Sequence, residues 1–392
     1  MRVDDEFGRR LLGGVNDLVE RVCSSREVVT FMEVCGTHTM AVSYFGIRRG
    51  VDSRLRLLSG PGCPVCVTGS AEIDAAVAIA RLKGVTVLTF GDMMRVPGSI
   101  GTLEKSRADG ADVRVVYSAL DCLRLAESDP RREFVFIGVG FETTAPTVAA
   151  TVVQARKLRI TNLSVLPMFK LIPPALRAVV KYREQLEKSR ADVARLDGFL
   201  LPGHVSTIIG HEPYRFLAED FGLPCVIAGF EASDVLQALL MLLAQLLAME
   251  HGESAKVEVQ YRRIVMPRGN RRARNLMRQV FEKTDSNWRG LGLIPNSGLG
   301  FRSEFRSFDA RRRFDIAREK TGLVTRTSAV RLSEACRCGE VMLGIITPTA
   351  CELFGRICAP ESPVGPCMVS SEGACAAYFR YERWFGMTDR RN

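Results

Sequence analysis

Two cysteines, Cys63 and Cys66, stand inside the run Gly60-Pro61-Gly62-Cys63-Pro64-Val65-Cys66. A Cys-x-x-Cys pair near a helix N-terminus has a depressed thiol pKa and can cycle between dithiol and disulfide, a two-electron couple. Half a zinc site is the other chemistry open to such a pair, although no second pair lies near it in sequence. A second field, Cys336, Cys338, Cys351, Cys358, Cys367 and Cys375, places six cysteines within 40 residues near the end of the chain. Structural zinc uses tight cysteine pairs, and here the gaps are wide apart from Cys336-Arg337-Cys338. Iron–sulfur clusters take four thiolates and tolerate irregular spacing. The expectation is a [4Fe–4S] cluster, with zinc second. Spacing alone does not choose four ligands from six.

A third element, Glu33-Val34-Cys35-Gly36-Thr37-His38-Thr39, sets a lone cysteine three residues before a histidine. A thiolate beside an imidazole can be a nucleophile or a metal ligand; a buried cysteine with an incidental histidine is the plainer alternative. The chain has four histidines, His38, His204, His211 and His251. His204 follows a strand end in Pro202-Gly203-His204-Val205-Ser206, as Glu142 does in Gly140-Phe141-Glu142-Thr143-Thr144. Glu142 is a candidate general acid or base, or a carboxylate that favours the N-terminus of the next helix. Cys23, Cys122 and Cys225 fall in helical or strand patterns and read as core.

These residues need elements to position them. Short apolar, β-branched runs at Val28–Val34, Leu55–Leu58, Val85–Phe90, Val113–Tyr117, Phe134–Val139, Leu163–Pro167, Gly198–Leu201, Cys225–Ala228 and Val257–Val265 read as strands. Helical patterns lie between them, at Ala71–Leu82, Thr147–Arg159, Pro174–Glu187, Asp234–Glu250 and Arg271–Glu282. Such alternation predicts an α/β fold of parallel sheets covered by helices. Nine strands suit two α/β units. The turn at Ser128-Asp129-Pro130 suggests a boundary, giving one α/β domain over 1–130 with Cys35 and the Cys63/Cys66 pair and a second over 131–290. Residues 291–392 would hold a connecting segment and a cysteine-rich cluster domain. Within them, Gly290 to Gly298 reads as an irregular connection and Ser303 to Lys320 as a charged helix. Several strands run straight into Gly-rich turns, and ligands of open α/β sheets sit beyond the carboxyl ends of strands. Gly138-x-Gly140 lacks the third glycine of a dinucleotide fingerprint, because Thr143 occupies that place.

Composition narrows the function classes. The chain of 392 residues carries a formal charge of +10 and twelve cysteines. Much of the basic excess lies in Arg262-Arg263, Arg268 to Arg278, Arg311 to Arg313 and Arg390-Arg391, which read as solvated basic surface. No nucleic-acid-binding motif accompanies them. The N-terminus lacks the apolar core of a signal peptide, and Val235 to Met249 falls short of the roughly 20 residues of a membrane span. A cytoplasmic protein without a membrane is expected. There, twelve cysteines point to metal or redox use rather than a disulfide framework.

Taken together, Glu33–Thr39, Gly60–Cys66, Gly140-Phe-Glu-Thr-Thr-Ala-Pro146, Pro202-Gly-His-Val-Ser-Thr-Ile-Ile-Gly210 and Gly365-Pro-Cys-Met-Val-Ser-Ser-Glu-Gly-Ala-Cys375 resemble the HypD family of hydrogenase maturation proteins, in that family's order. The resemblance implies a scaffold and redox role in assembling the Fe(CN)₂CO unit of [NiFe]-hydrogenases, with a small HypC-type chaperone and a HypE-type cyanide donor as partners. It implies that Cys35 binds iron, that Cys63 and Cys66 are the redox pair, and that a [4Fe–4S] cluster sits on Cys336, Cys351, Cys358 and Cys375 in the spacing Cys-x₁₄-Cys-x₆-Cys-x₁₆-Cys. Cys338 and Cys367 fall outside that pattern. His38 would tune or protonate the Cys35 thiolate, and Glu142 and His204 would line the same cleft. The family architecture, two α/β domains with a cluster domain, agrees with the strand–helix reading. Two rivals stand beside it. One is an iron–sulfur-dependent protein disulfide reductase, which has no need of Cys35. The other is a nucleic-acid-binding protein using the positive charge, which has no need of Cys63 or Cys66.

Overall fold

The computed structural model describes residues 6–190, 193–316 and 335–383. Nine strands form where the apolar runs predict them: β1 (Val29–Glu33), β2 (Leu55–Ser59), β3 (Val85–Thr89), β4 (Asp112–Val115), β5 (Glu133–Gly140), β6 (Leu163–Phe169), β7 (Gly198–Pro202), β8 (Cys225–Ala228) and β9 (Val257–Val259). They build two sheets with every pairing parallel, in the orders β2-β1-β7-β8-β9 and β4-β3-β5-β6. The chain makes two strands of the first sheet, passes through all four of the second, and returns for the last three. The turn at Ser128–Pro130 thus lies between β4 and β5 of one sheet.

Each strand divides its side chains between two faces, as a period of two demands. In β5, Phe134 and Phe136 join a cluster under the helices Asp121–Ser128 and Ala145–Lys157, while Val135 and Ile137 join a larger cluster that also takes Met32, Phe199 and Leu201 from the first sheet. On the far face of that sheet, Phe31, Leu200 and Val226 pack under the helices Glu6–Val22 and Ala232–Glu250. The second of these helices is long and apolar enough by composition to cross a membrane. Its Val235, Leu236, Leu239, Leu242 and Leu243 are buried against the sheet, and its Gln245 donates to Glu258 and accepts from the Lys256 N–H. It is a core helix.

The region after residue 280 departs from the sequence reading. Gly290 to Gly298, expected to be irregular, contributes to an antiparallel hairpin of β10 (Phe281–Trp288) and β11 (Gly292–Phe301). Gly290 and Gly292 take φ of 81° and 78° at the turn, conformations that suit glycine. In β10 only the end residues Phe281 and Trp288 are buried, so the strand lacks the apolar run that marks the others. The expected helix over Ser303–Lys320 is a 3₁₀ turn, Ser303–Phe308, then a short helix, Ala310–Arg313; its part beyond 316, like Arg390-Arg391, lies outside the described residues.

The cysteine-rich tail also differs from expectation. It forms the short helices Cys338–Met342, Pro366–Val369 and Ala374–Tyr381. Cys338, Cys367, Met368 and Cys375 belong to the same apolar cluster as Cys63, Val65, Cys66 and Val139. The tail is therefore packed into the α/β core, and the structure does not set it apart as a domain with a core of its own.

One polar clasp ties these parts together. Lys170, fully buried just after β6, donates to both carboxylate oxygens of Glu72 (3.0 and 2.8 Å), to Ser286 Oγ (2.6 Å) and to Asn287 O (3.0 Å). Removing one partner of such a pair strands the other charge. Lys170→Ala is expected to cost about 3–5 kcal/mol in urea unfolding, and Lys170→Met with Glu72→Leu to recover most of it. A single-variant loss no larger than a surface pair's, below about 1 kcal/mol, would rule out the clasp.

Candidate functional site

Four turns at the carboxyl ends of the first sheet carry the chemistry. Cys35 follows β1, Cys63 follows β2, His204 follows β7, and Phe230 follows β8. Adjacency of β2, β1, β7 and β8 brings together residues that lie far apart in sequence.

Cys35 is extended (φ −152°, ψ 124°) at the N-cap of the helix Gly36–Tyr44. Cys63 caps the short helix Pro64–Val67, where its sulfur accepts the Cys66 N–H at 3.1 Å and Pro64 supplies the preset φ of a first helical turn. A disulfide joins Cys63 and Cys66, with Cα atoms 5.2 Å apart. The two cysteine loops meet backbone to backbone, the Gly36 N–H donating to Gly62 O at 3.0 Å. Glycine is required at this contact: a Cβ on Gly62 would overlap the backbone of Cys35, and one on Gly36 would overlap Glu372.

The tail roofs both loops. Thr37 Oγ1 donates to Glu372 Oε1 at 3.1 Å, Cys66 Sγ lies 3.8 Å from Pro366 O, and Ser370 Oγ donates to Asp92 Oδ2 at 2.9 Å, beyond β3 of the second sheet. Under this roof Cys35 is buried, and desolvation with the nearby Glu372 carboxyl pushes its thiol up to about 12, against N–H groups of His38 and Thr37 directed at the sulfur. The thiol is protonated at neutral pH while the roof is closed. Glu33, buried beside it, accepts from Thr39 Oγ1 at 2.7 Å, and burial raises its carboxyl to about 7.

His38 is turned toward the first sheet. Its Nε2 lies 2.9 Å from Gly229 O, and burial pushes the imidazole down to about 4, so it is neutral and donates there. Its ring packs on Phe230 at 4.8 Å, and His204 stacks on the same Phe230 at 3.9 Å, forming one aromatic column. Glu142 sits beyond β5 of the other sheet, where its Oε1 accepts the Ile172 N–H at 3.1 Å and its carboxyl lines a separate cavity. Sequence reasoning gave Glu372 no role. Its signal was an acidic residue inside Ser370-Ser371-Glu372-Gly373, next to a glycine that allows close packing on Cys367. Phe230 also has no role in the sequence reading; its signal is its place in the turn Ala228-Gly229-Phe230 directly after a strand.

All six tail cysteines, Cys336, Cys338, Cys351, Cys358, Cys367 and Cys375, line one void. Cys336 and Cys367 hydrogen-bond to Cys338, which holds Cys338 below and themselves above the usual thiol range. Among the described residues, no group of three or more His, Cys, Asp or Glu side chains is arranged to hold a metal ion. That corrects both metal expectations, the [4Fe–4S] cluster on Cys336, Cys351, Cys358 and Cys375 and the iron at Cys35. The void is about 10 Å³, room for about one water. Cys336, Cys338, Cys367 and Cys375 hydrogen-bond to one another in a chain, and Cys358 Sγ accepts the Val364 N–H at 3.4 Å. Cys35 takes backbone N–H groups, and the His38 ring is committed to Gly229.

The buried carboxyls make stability depend on pH. Burial raises Glu142 from its ordinary 4.5 to about 7. Between those values the folded chain holds a proton that the unfolded chain has lost, so this contribution is complete below pH 4.5 and is lost as pH rises through 7. His38 acts in the opposite sense, its stability being present above pH 6.5 and lost as pH falls through 4. Comparison with Glu142→Gln isolates the carboxyl. The stability of wild type minus that of the variant is expected to fall by about 1.4 kcal/mol per pH unit across the window, read from urea melts. A flat difference would mean that Glu142 ionises normally.

A family model named HypD, described as the hydrogenase formation hypA family, matches residues 11–382. The chain is 42% identical over 396 residues to hydrogenase maturation factor HypD2 of Bradyrhizobium diazoefficiens, covering 100% of both chains. It is 43% identical over 380 residues to hydrogenase maturation factor HypD of Rhodobacter capsulatus, covering 96% of each. It is 45% identical over 354 residues to the factor of the same name from Azotobacter vinelandii, covering 90% of this chain and 89% of that one. With three of the motif loops gathered at the carboxyl ends of the first sheet and similarity running nearly end to end, the chain belongs to the HypD family of hydrogenase maturation proteins.

Proposed function

We propose that this protein is the scaffold and thiol redox component for assembly of the Fe(CN)₂CO unit of [NiFe]-hydrogenases, working with a small HypC-type chaperone and a HypE-type cyanide donor. The observation that carries the reading is the backbone contact between the Cys35 loop and the loop of the Cys63–Cys66 disulfide, beneath one roof. A lone disulfide would suit general reductase work. A third cysteine, on a loop whose backbone touches the disulfide loop at Gly62, suits a dedicated substrate.

The chemistry balances with the residues of this chain. Releasing cyanide from a thiocyanate, R–S–C≡N, breaks the S–C bond and needs two electrons and two protons, giving R–SH and HCN. Reduced Cys63 and Cys66 supply both electrons and both protons as their disulfide forms. A dithiol reductant must then restore the pair. The Cys35 thiol becomes able to ionise once the partner lifts Glu372 from Thr37, because contact with water removes the burial that keeps it protonated. The neutral His38 holds the Gly229 turn, and with it Phe230 and His204, in place beside the loop.

The test is the infrared spectrum of the complex purified without oxygen after co-expression with both partners, in the window where metal-bound cyanide and carbonyl stretch. Wild type is expected to show these bands. Cys63→Ala and Cys35→Ala are each expected to lose the cyanide bands by at least about tenfold, the factor of one 1.4 kcal/mol step. Full-strength bands in Cys63→Ala would eliminate the redox role, and full-strength bands in Cys35→Ala would eliminate the scaffold role of that thiol.

A further inference from the structure

A cavity of about 730 Å³ opens between the helices Ile172–Ser189 and Arg271–Val280 and the hairpin β10–β11. The proposed thiol chemistry does not use it. Its volume lies within the range of ligand sites, roughly 300–1,000 Å³. Its floor is apolar, built by Ile209, Phe216, Phe281 and Leu299. Its rim is cationic, with Arg177, Arg274, Arg278, Lys283 and Arg302 set against one exposed carboxylate, Glu282.

The rim charges are largely uncompensated. Arg177 pairs with Asp220 at 2.8 Å and lies 4.2 Å over the Phe216 ring. Arg274 and Arg302 donate to the neutral carbonyls of Arg268 and Arg278, both at 2.7 Å, which fixes their direction and leaves their charge. Arg278 and Lys283 have no carboxylate partner among the described residues. At the base, Glu142 is buried, accepts the Ile172 N–H at 3.1 Å, and has its carboxyl raised by burial to about 7.

We infer that this cavity is a docking site for an acidic polypeptide segment of a partner protein, its apolar side chains seated on the Phe216–Phe281–Leu299 floor and its carboxylates against Arg278, Lys283 and Arg302. An apolar floor inside a charged rim is the arrangement by which amphipathic segments are held in grooves. The cavity is poorly suited to nucleic acid. Single strands need exposed aromatic faces on which bases stack, and Arg177 already covers Phe216. The inference does not depend on the thiol reading and can fail while that reading stands.

The test uses the full chain and an array of short fluorescein-labelled peptides in which acidic residues and Leu or Phe vary independently, read by fluorescence anisotropy. Lysine-substituted peptides and an oligothymidylate of matched length are the controls. Peptides carrying both acidic and apolar residues are expected to bind, and to weaken steeply as salt is raised. Arg278→Glu with Lys283→Glu should weaken them by about tenfold or more while leaving thermal melting and the Cys63–Cys66 disulfide intact. Both side chains are exposed; should the reversed pair fail to fold, Arg278→Ala with Lys283→Ala is expected to show a smaller loss in the same direction. The inference is overturned if acidic peptides bind no better than their lysine counterparts, or if charge reversal leaves their affinity unchanged. Oligothymidylate binding that is tighter than any peptide's and lost on the same reversal would reassign the site to nucleic acid.

Discussion

The site depends on the close approach of two backbones. Gly36 and Gly62 let the loops after β1 and β2 touch, and no larger residue fits without moving Cys35 or Glu372. Side chains could not hold three sulfurs in place as well, because each flexible side chain would have to lose rotamer freedom on being fixed. Here the sheet supplies the precision. β1 and β2 are paired in register from Val29–Leu55 to Glu33–Ser59, so the strand ends, and the turns that follow them, are set by the ladder itself. Parallel sheets buried on both faces are stiff supports of this kind.

Burial then determines the chemistry of that arrangement. Cys35 and Glu33 are both nearly inaccessible; desolvation keeps the Cys35 thiol protonated and raises the Glu33 carboxyl to about 7. His38 is held neutral by the same cause acting on a base. The closed site therefore carries little charge and is chemically quiet. A partner that displaces the Glu372 roof would restore water, and with it the normal acidity of the thiol. Reactivity at Cys35 is therefore conditional on displacing the roof.

The two sheets were legible because their strands are short apolar runs between helices, from Val29–Glu33 to Val257–Val259. The site loops were legible for a related reason: glycine, with proline or cysteine, follows several of the predicted strands, and strand ends are where an α/β sheet binds ligands. What was not legible came from long-range packing. β10 buries only Phe281 and Trp288 at its ends, so its pairing with β11 leaves little trace in composition. The tail was read as a unit apart, because nothing in its spacing shows that Cys367 and Cys375 share a core with Cys66. Nor does spacing show that all six tail cysteines converge on one void, where Cys338 and Cys367, outside the four-cysteine pattern, hydrogen-bond to each other.

The return of the chain to its first sheet gives a reason for this organisation. β7 lies beside β1 and β8 beside β7, so the Cys35 loop is flanked on one side by the disulfide loop and on the other by Gly229 and Phe230. The second sheet, interposed in sequence, contributes Asp92, which holds Ser370 of the roof. The roof is thus tied to both sheets, through Glu372 to the first and through Ser370 to the second. A displacement of one sheet relative to the other would strain one of these ties before the other. The cationic cavity lies between elements that follow β6 and those that follow β9, on the same connected framework. Occupying it would load that framework at a distance from the sulfurs. Exposure of the thiol therefore turns on the Glu372 tie, because that anchor, and not Ser370 on Asp92, stands against the Cys35 loop.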